Sequence, residues 1–208
     1  MIISYHTVWF LPLEAKMKKL NKTAWFDQGF KILKTKGAAD LTIETLTKKL
    51  HKTKGSFYHH FNNRDDYFEQ LLEFWEKKQT FNILKIKKQE QTFNGINETL
   101  LALSKKNMDP DIEVAIRAWA LRDPLARTFQ ERIDNQRMGF LRAMFSLMTD
   151  DPAQAEMMSL IRYCFYIGSH QIIPAIDEQT YKKKLGSLME MFETYVDLNT
   201  SKKDMREI

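Results

Sequence analysis

With 208 residues, 43% of them apolar, the chain has enough material for one large domain or two small ones around a real core. Its one cysteine, Cys164, excludes an internal disulfide and fits a reducing, cytoplasmic compartment, and no run approaches the roughly 18 apolar residues of a membrane span. The net charge of +5 is unevenly spread: residues 1–64 hold 12 Lys and Arg against 4 Asp and Glu, while residues 65–208 hold 20 against 23. That asymmetry points to a basic nucleic-acid-binding module joined to a near-neutral body, although a merely solvated basic face would give the same balance.

The apolar stretch from Ile2 to Leu13 has no basic leader, carries His6 and lacks a small-residue cleavage site, so it does not read as a signal peptide. Residues 1–20 are expected to be a disordered or loosely docked extension. Met17, followed by Lys18 and Lys19, would serve as a start, which makes residues 1–16 a candidate over-long translation. From Asn21 to Lys36, Trp25, Phe26, Gly29, Phe30, Ile32 and Leu33 recur at helical spacing, and Gly37 ends the helix.

The segment Leu41–Asp66 predicts two short helices and a tight corner. Thr42 is an N-cap, with Ile43, Leu46 and Leu50 on one face; Thr53 is a second N-cap, with Phe57 and Phe61 four residues apart. Only His51 and Lys52 separate the helices. The second helix turns Lys54, Ser56, Tyr58 and His59 outward, and Gly55 leaves its backbone open to close approach. Two helices joined by so short a turn, the second polar on its outer face, are the helix-turn-helix pattern.

Asn63 then caps a long helix whose first turn carries Asp65 and Asp66, as its dipole favours, and whose apolar positions run from Tyr67 through Trp75 towards Leu84. Asp109-Pro110, Asp123-Pro124 and Asp151-Pro152 each place a capping residue before a proline at the first helical position. Helices are therefore expected at about 95–107, 110–122, 123–148, 151–173 and 177–197. Alternating strand patterns are absent, so the class is all-α: a helix-turn-helix domain over 21–66, a helical body over 67–198 and a frayed tail over 199–208. The last two helices carry broad apolar surfaces. Phe165, Gly168 and Ile172 on one, and Leu185, Leu188 and Phe192 on the other, suit a homodimeric four-helix bundle; ordinary packing within one chain is the alternative.

The stretches Trp25-Phe26-Asp27-Gln28-Gly29-Phe30, Leu41-Thr42-Ile43 and Lys54-Gly55-Ser56-Phe57-Tyr58-His59-His60-Phe61, with Arg64-Asp65-Asp66, resemble the TetR family of transcriptional regulators. The segments Ile116–Asp134 and Ala155–His170 are loosely similar to the ligand-binding half in one branch of that family. The resemblance implies a DNA-binding repressor that meets a palindromic double-stranded operator as a homodimer and responds to an unknown small-molecule effector. It also implies roles. Thr42 and Thr53 would contact phosphates; Lys54, Gly55 and Ser56 would face base edges; Tyr58 and His59 would contact the backbone, and Arg64 a flanking phosphate. Tyr58 is equally compatible with packing. Trp75, Trp119, Arg122 and Tyr166 are expected to line the effector pocket. Departures stand out: His51 replaces the usual turn glycine and Lys52 the usually buried apolar residue after it, while Thr47 and Gly29 each replace a usual alanine.

No metal or cofactor is expected. His59 and His60 are adjacent, so they project differently from a helix, and His51 adds no helical ligand spacing. No nucleophile elbow, phosphate loop or paired-carboxylate signature points to an enzyme. Cys164 falls on an apolar helix face and is expected to be buried.

Overall fold

The structure is a computed structural model that describes residues 21–89, 92–107 and 109–204. These form α1 (Lys22–Lys36), α2 (Ile43–Leu50), α3 (Lys54–Tyr58), α4 (Arg64–Gln89), α5 (Phe93–Asn107), α6 (Pro110–Ala120), α7 (Pro124–Phe145), α8 (Pro152–Gln171) and α9 (Glu178–Asp204). A single 3-10 turn, Ala38–Asp40, joins α1 to α2, and the described residues contain no strand. The expected extension over 1–20 lies outside them.

Local chemistry sets the boundaries. Asn21, Thr42, Thr53, Asp109, Asp123 and Asp151 each cap a helix by accepting a backbone N–H. Asn63 Oδ1 does the same for α4, accepting from the Asp66 amide at 2.8 Å. Each such cap is worth about 1 kcal/mol. All three Asp-Pro pairs start helices as the sequence predicts. The C-terminal ends run shorter than periodicity suggests for α6, α7 and α8, and α9 continues past 197 to Asp204.

Two cores result. The first unites α1, α2 and α3 with the start of α4 and with α6 and α7; Trp25, Phe57, Tyr67, Leu71 and Ile116 are all fully enclosed in it. The second gathers α5, the end of α7, α8 and α9 around Phe145, Met158 and Leu185. Because α4 belongs to the first core and α6 packs on α1, the head is fastened to the body by shared apolar burial, at about 25 cal/mol per Å². A Lys34–Asp109 ion pair at 2.8 Å bridges the same seam.

Candidate nucleic-acid interface and effector region

The corner between α2 and α3 is made by His51 in a left-handed conformation, φ 52° and ψ 46°, the geometry for which glycine is usually selected. Its N–H and that of Lys52 donate to the last carbonyls of α2, so the turn is closed despite the side chain. Beneath it, Phe57 and Phe61 are buried against Trp25 in edge-to-face contacts with ring centroids 5.5 and 6.3 Å apart. Those anchors fix the roll of α3 and determine which residues face outward.

The outward set includes most of the residues singled out from sequence. Thr53, Lys54, Gly55, His59 and Arg64 are exposed, Tyr58 is 53% exposed, and Thr42 and Ser56 are half-buried. The Thr42 and Thr53 hydroxyls are the caps of α2 and α3, accepting from the Thr45 and Ser56 amides at 3.1 and 3.2 Å. Lys54 is ion-paired with Glu44 of α2. That contact raises the lysine pKa and lowers that of the carboxyl, first through the hydrogen bond and then through the charges. Arg64 lies over the Phe68 ring, 4.6 Å from its centroid. A Cβ on Gly55 would meet only the Thr53 hydroxyl at 3.7 Å, so nothing inside the fold requires glycine there.

Of the four expected effector-pocket residues, Trp119 and Arg122 share a groove, and Trp75 and Tyr166 lie elsewhere. Trp75 is buried beside a hollow of about 310 Å³ between α1 and α4. Trp119 and Arg122 line a separate groove of about 670 Å³ between α1 and α6. Tyr166 belongs to a third place, a polar cluster in the body, where its hydroxyl donates to Glu113 Oε2 at 3.0 Å.

That cluster was not anticipated from sequence. Arg137 of α7 donates to Glu113 Oε2 at 2.9 Å and to Gln79 Oε1 of α4 at 3.1 Å. Arg117 chelates Asp134 at 2.7 and 2.9 Å; the Tyr163 hydroxyl accepts from Arg117 at 2.8 Å and donates to Asp134 Oδ1 at 2.7 Å. Burial alone would raise the Glu113 carboxyl, but the Arg137 charge and hydrogen bond, with Arg117, outweigh it and hold the carboxyl below its usual range. Asp134 is depressed in the same way, burial being outweighed by its hydrogen bonds from Arg117 and Tyr163. Burial pushes the Tyr163 phenol up to about 12. The signal available in sequence was helical spacing: Glu113 and Arg117 are four apart, as are Gln130 and Asp134.

On the expected dimer surface, two assignments need correction. Leu185 is 1% and Phe192 5% exposed, because both face the chain's own second core. Phe165 stacks on Tyr181 at 5.3 Å within the chain, and Leu188 is half-buried. Ile172 is exposed, and a Cβ on Gly168 would meet nothing within 4 Å. The outward apolar stripes are instead Met157, Leu160 and Ile161 on α8, continuing through Cys164, and Met191, Tyr195 and Leu198 on α9. Cys164 is exposed rather than buried, since it shares the face of Leu160 and Ile161 and not that of Met158 and Tyr163.

Residues 26–71, the head and the start of α4, match the family model described as bacterial regulatory proteins, tetR family. A structure described as a transcriptional regulator of the TetR/AcrR family is similar with a TM-score of 0.68 and 15% identity, over 82% of this chain and 97% of that one. A transcriptional regulator from Aquifex aeolicus VF5 has a TM-score of 0.61 and 19% identity, over 85% and 98%. The multidrug binding protein EbrR, complexed with imidazole, has a TM-score of 0.51 and 18% identity, over 80% and 93%. No curated protein matches the sequence. Among the described residues no helix is long and apolar enough to cross a membrane.

Proposed function

We propose, from a head that matches the tetR family model over residues 26–71 and a fold similar to that of TetR/AcrR regulators, a sequence-specific repressor that binds a palindromic operator as a homodimer and is released by a small-molecule effector. The observation that carries the reading is the outward face of α3. Lys54, Gly55, Tyr58 and His59 are exposed on a helix whose roll is locked by Phe57 and Phe61, in the most basic part of the chain. Lys54 donates to guanine O6 and N7, and Gly55 and Ser56 let the backbone approach the base edges. The α2 and α3 N-termini at Thr42 and Thr53 meet phosphates, and Tyr58, His59 and Arg64 add contacts along the backbone.

Pairing two copies through the exposed stripes of α8 and α9 forms the four-helix bundle, which places two heads on successive major grooves about 34 Å apart. An effector lowers operator affinity only by as much as it binds one head arrangement better than the other. The chain is read as a regulator and not an enzyme. The alternative is a non-specific DNA-binding or helical interaction protein without small-molecule control; salt dependence alone does not separate a specific from a non-specific DNA binder, since phosphate contacts dominate both.

The test is selection of bound fragments from genomic DNA at about 150 mM salt, beside Lys54→Ala and Tyr58→Ala variants. A palindromic site enriched by the native protein and lost in both variants supports the reading; binding without enrichment removes it.

A further inference from the structure

We propose that the groove between α1 and α6 binds a small organic anion with an apolar body. The open groove has a volume of about 670 Å³, within the range of small-molecule sites. Its walls come from both halves of the chain: the end of α1 and the turn after it on one side, α6 on the other, with Arg64 from the start of α4 and His170 from the end of α8 also lining it.

The chemistry of the lining selects the ligand. Three cations, Lys36, Arg64 and Arg122, reach the groove, and none has a carboxylate partner among the described residues. Lys34 also lines it but is committed to Asp109 at 2.8 Å. Of the two carboxylates present, Asp123 is committed to capping α7, its Oδ1 accepting from the Ala126 amide at 2.9 Å, which leaves Asp111 against three positive charges. The same lining includes Val114, Ala115, Ala118 and Trp119. A phosphate backbone would use the cations and leave this apolar strip unsatisfied; a carboxylate or sulfonate with a short hydrocarbon or aromatic body uses both.

An occupant touching α1 and α6 together binds one head–body arrangement better than another, which is the property an effector needs. Acting as the effector site rests on the regulator reading above; binding itself does not.

The full-length protein is titrated with 1-anilinonaphthalene-8-sulfonate, and the bound probe is competed with octanoate and with octan-1-ol. Octanoate is expected to displace it at about tenfold lower concentration than the alcohol, the scale of a charge-assisted hydrogen bond. A Lys36→Gln, Arg122→Gln double variant should lose that advantage, and Ala118→Phe, which fills the groove without touching its charges, should weaken both competitors. Equal potency of acid and alcohol, or unchanged octanoate binding in both variants, overturns the proposal. So does displacement by random duplex DNA as effective as that by octanoate, which would mark a phosphate-tracking surface. Octanoate binding that needs Lys36 and Arg122 but leaves operator affinity unchanged keeps the site and removes only its effector role.

Discussion

The hydroxyl of Tyr67 occupies the space in which residue 29 would otherwise carry a side chain. A Cβ built on Gly29 would lie 2.1 Å from the Tyr67 oxygen, and that oxygen donates to the Trp25 carbonyl at 2.9 Å. Tyr67 is fully buried among Phe26, Phe57 and Phe61, so the ring cannot swing away. The glycine in the middle of α1 is therefore the complement of a tyrosine on α4.

Gly29→Ala should consequently destabilise the protein by about 1–3 kcal/mol, although alanine is the better helix former. Combining it with Tyr67→Phe should recover much of that loss, because the clash is with the hydroxyl. Urea denaturation of the two single variants and the double variant measures the coupling; additive losses would contradict it.

The Glu113–Arg137 pair makes stability depend on pH. Both Glu113 and Asp134 have folded-state pKa values below their ordinary ones, so their contribution is complete above the ordinary carboxylate range, about 4, and is lost as pH falls through the depressed values. Denaturation midpoints should be nearly level from pH 7 to 8, slip as pH falls through about 6.5 because burial lowers the His170 pKa, and fall steeply below about 4. Glu113→Ala, which strands Arg137 in a buried site, should cost about 3–5 kcal/mol at neutral pH, and its residual stability should fall less steeply with acid. An unchanged acid slope would show that other carboxylates dominate.

The proposed dimer surface rests on the apolar residues that the chain leaves uncovered. Ile161→Glu, at a 40% exposed position on the outer stripe of α8, should convert the dimer to a folded monomer in sedimentation velocity. Leu185→Glu, at a 1% exposed position, should instead unfold the second core. A folded dimer of the Ile161 variant would place the interface elsewhere.

Much of this was legible in the sequence because the signals were local. Thr42, Thr53 and the three Asp-Pro pairs mark helix starts by their own capping chemistry, and the Phe57–Phe61 spacing identifies the buried side of α3. What failed depended on neighbours distant in sequence. Leu185 and Phe192 look like a free apolar stripe until Phe145 and its surroundings cover them. Cys164 reads as buried on composition alone, but one helical step turns it outward. The effector residues were chosen for aromatic character, and the fold disperses Trp75, Trp119 and Tyr166 around three different places. His51 accommodates the turn with a left-handed backbone, φ 52°, rather than abandoning it.

If Lys54 reads bases as proposed, its ion pair with Glu44 implies competition for that lysine. Glu44→Gln releases Lys54 and removes a negative charge beside the DNA-facing surface, so affinity for a selected duplex should rise a few-fold and more at low salt. Fluorescence anisotropy across a salt series checks this. Weaker binding would mean that Glu44 positions the lysine instead of withholding it.

Whether two heads read one sequence is decided by titrating a selected duplex against a scrambled duplex of equal length. At about 150 mM salt two protomers should bind per site, with a preference on the order of 10³ or more over the scrambled duplex that falls sharply with Lys54→Ala. Equal affinity for both duplexes, with salt dependence alone remaining, would contradict that reading.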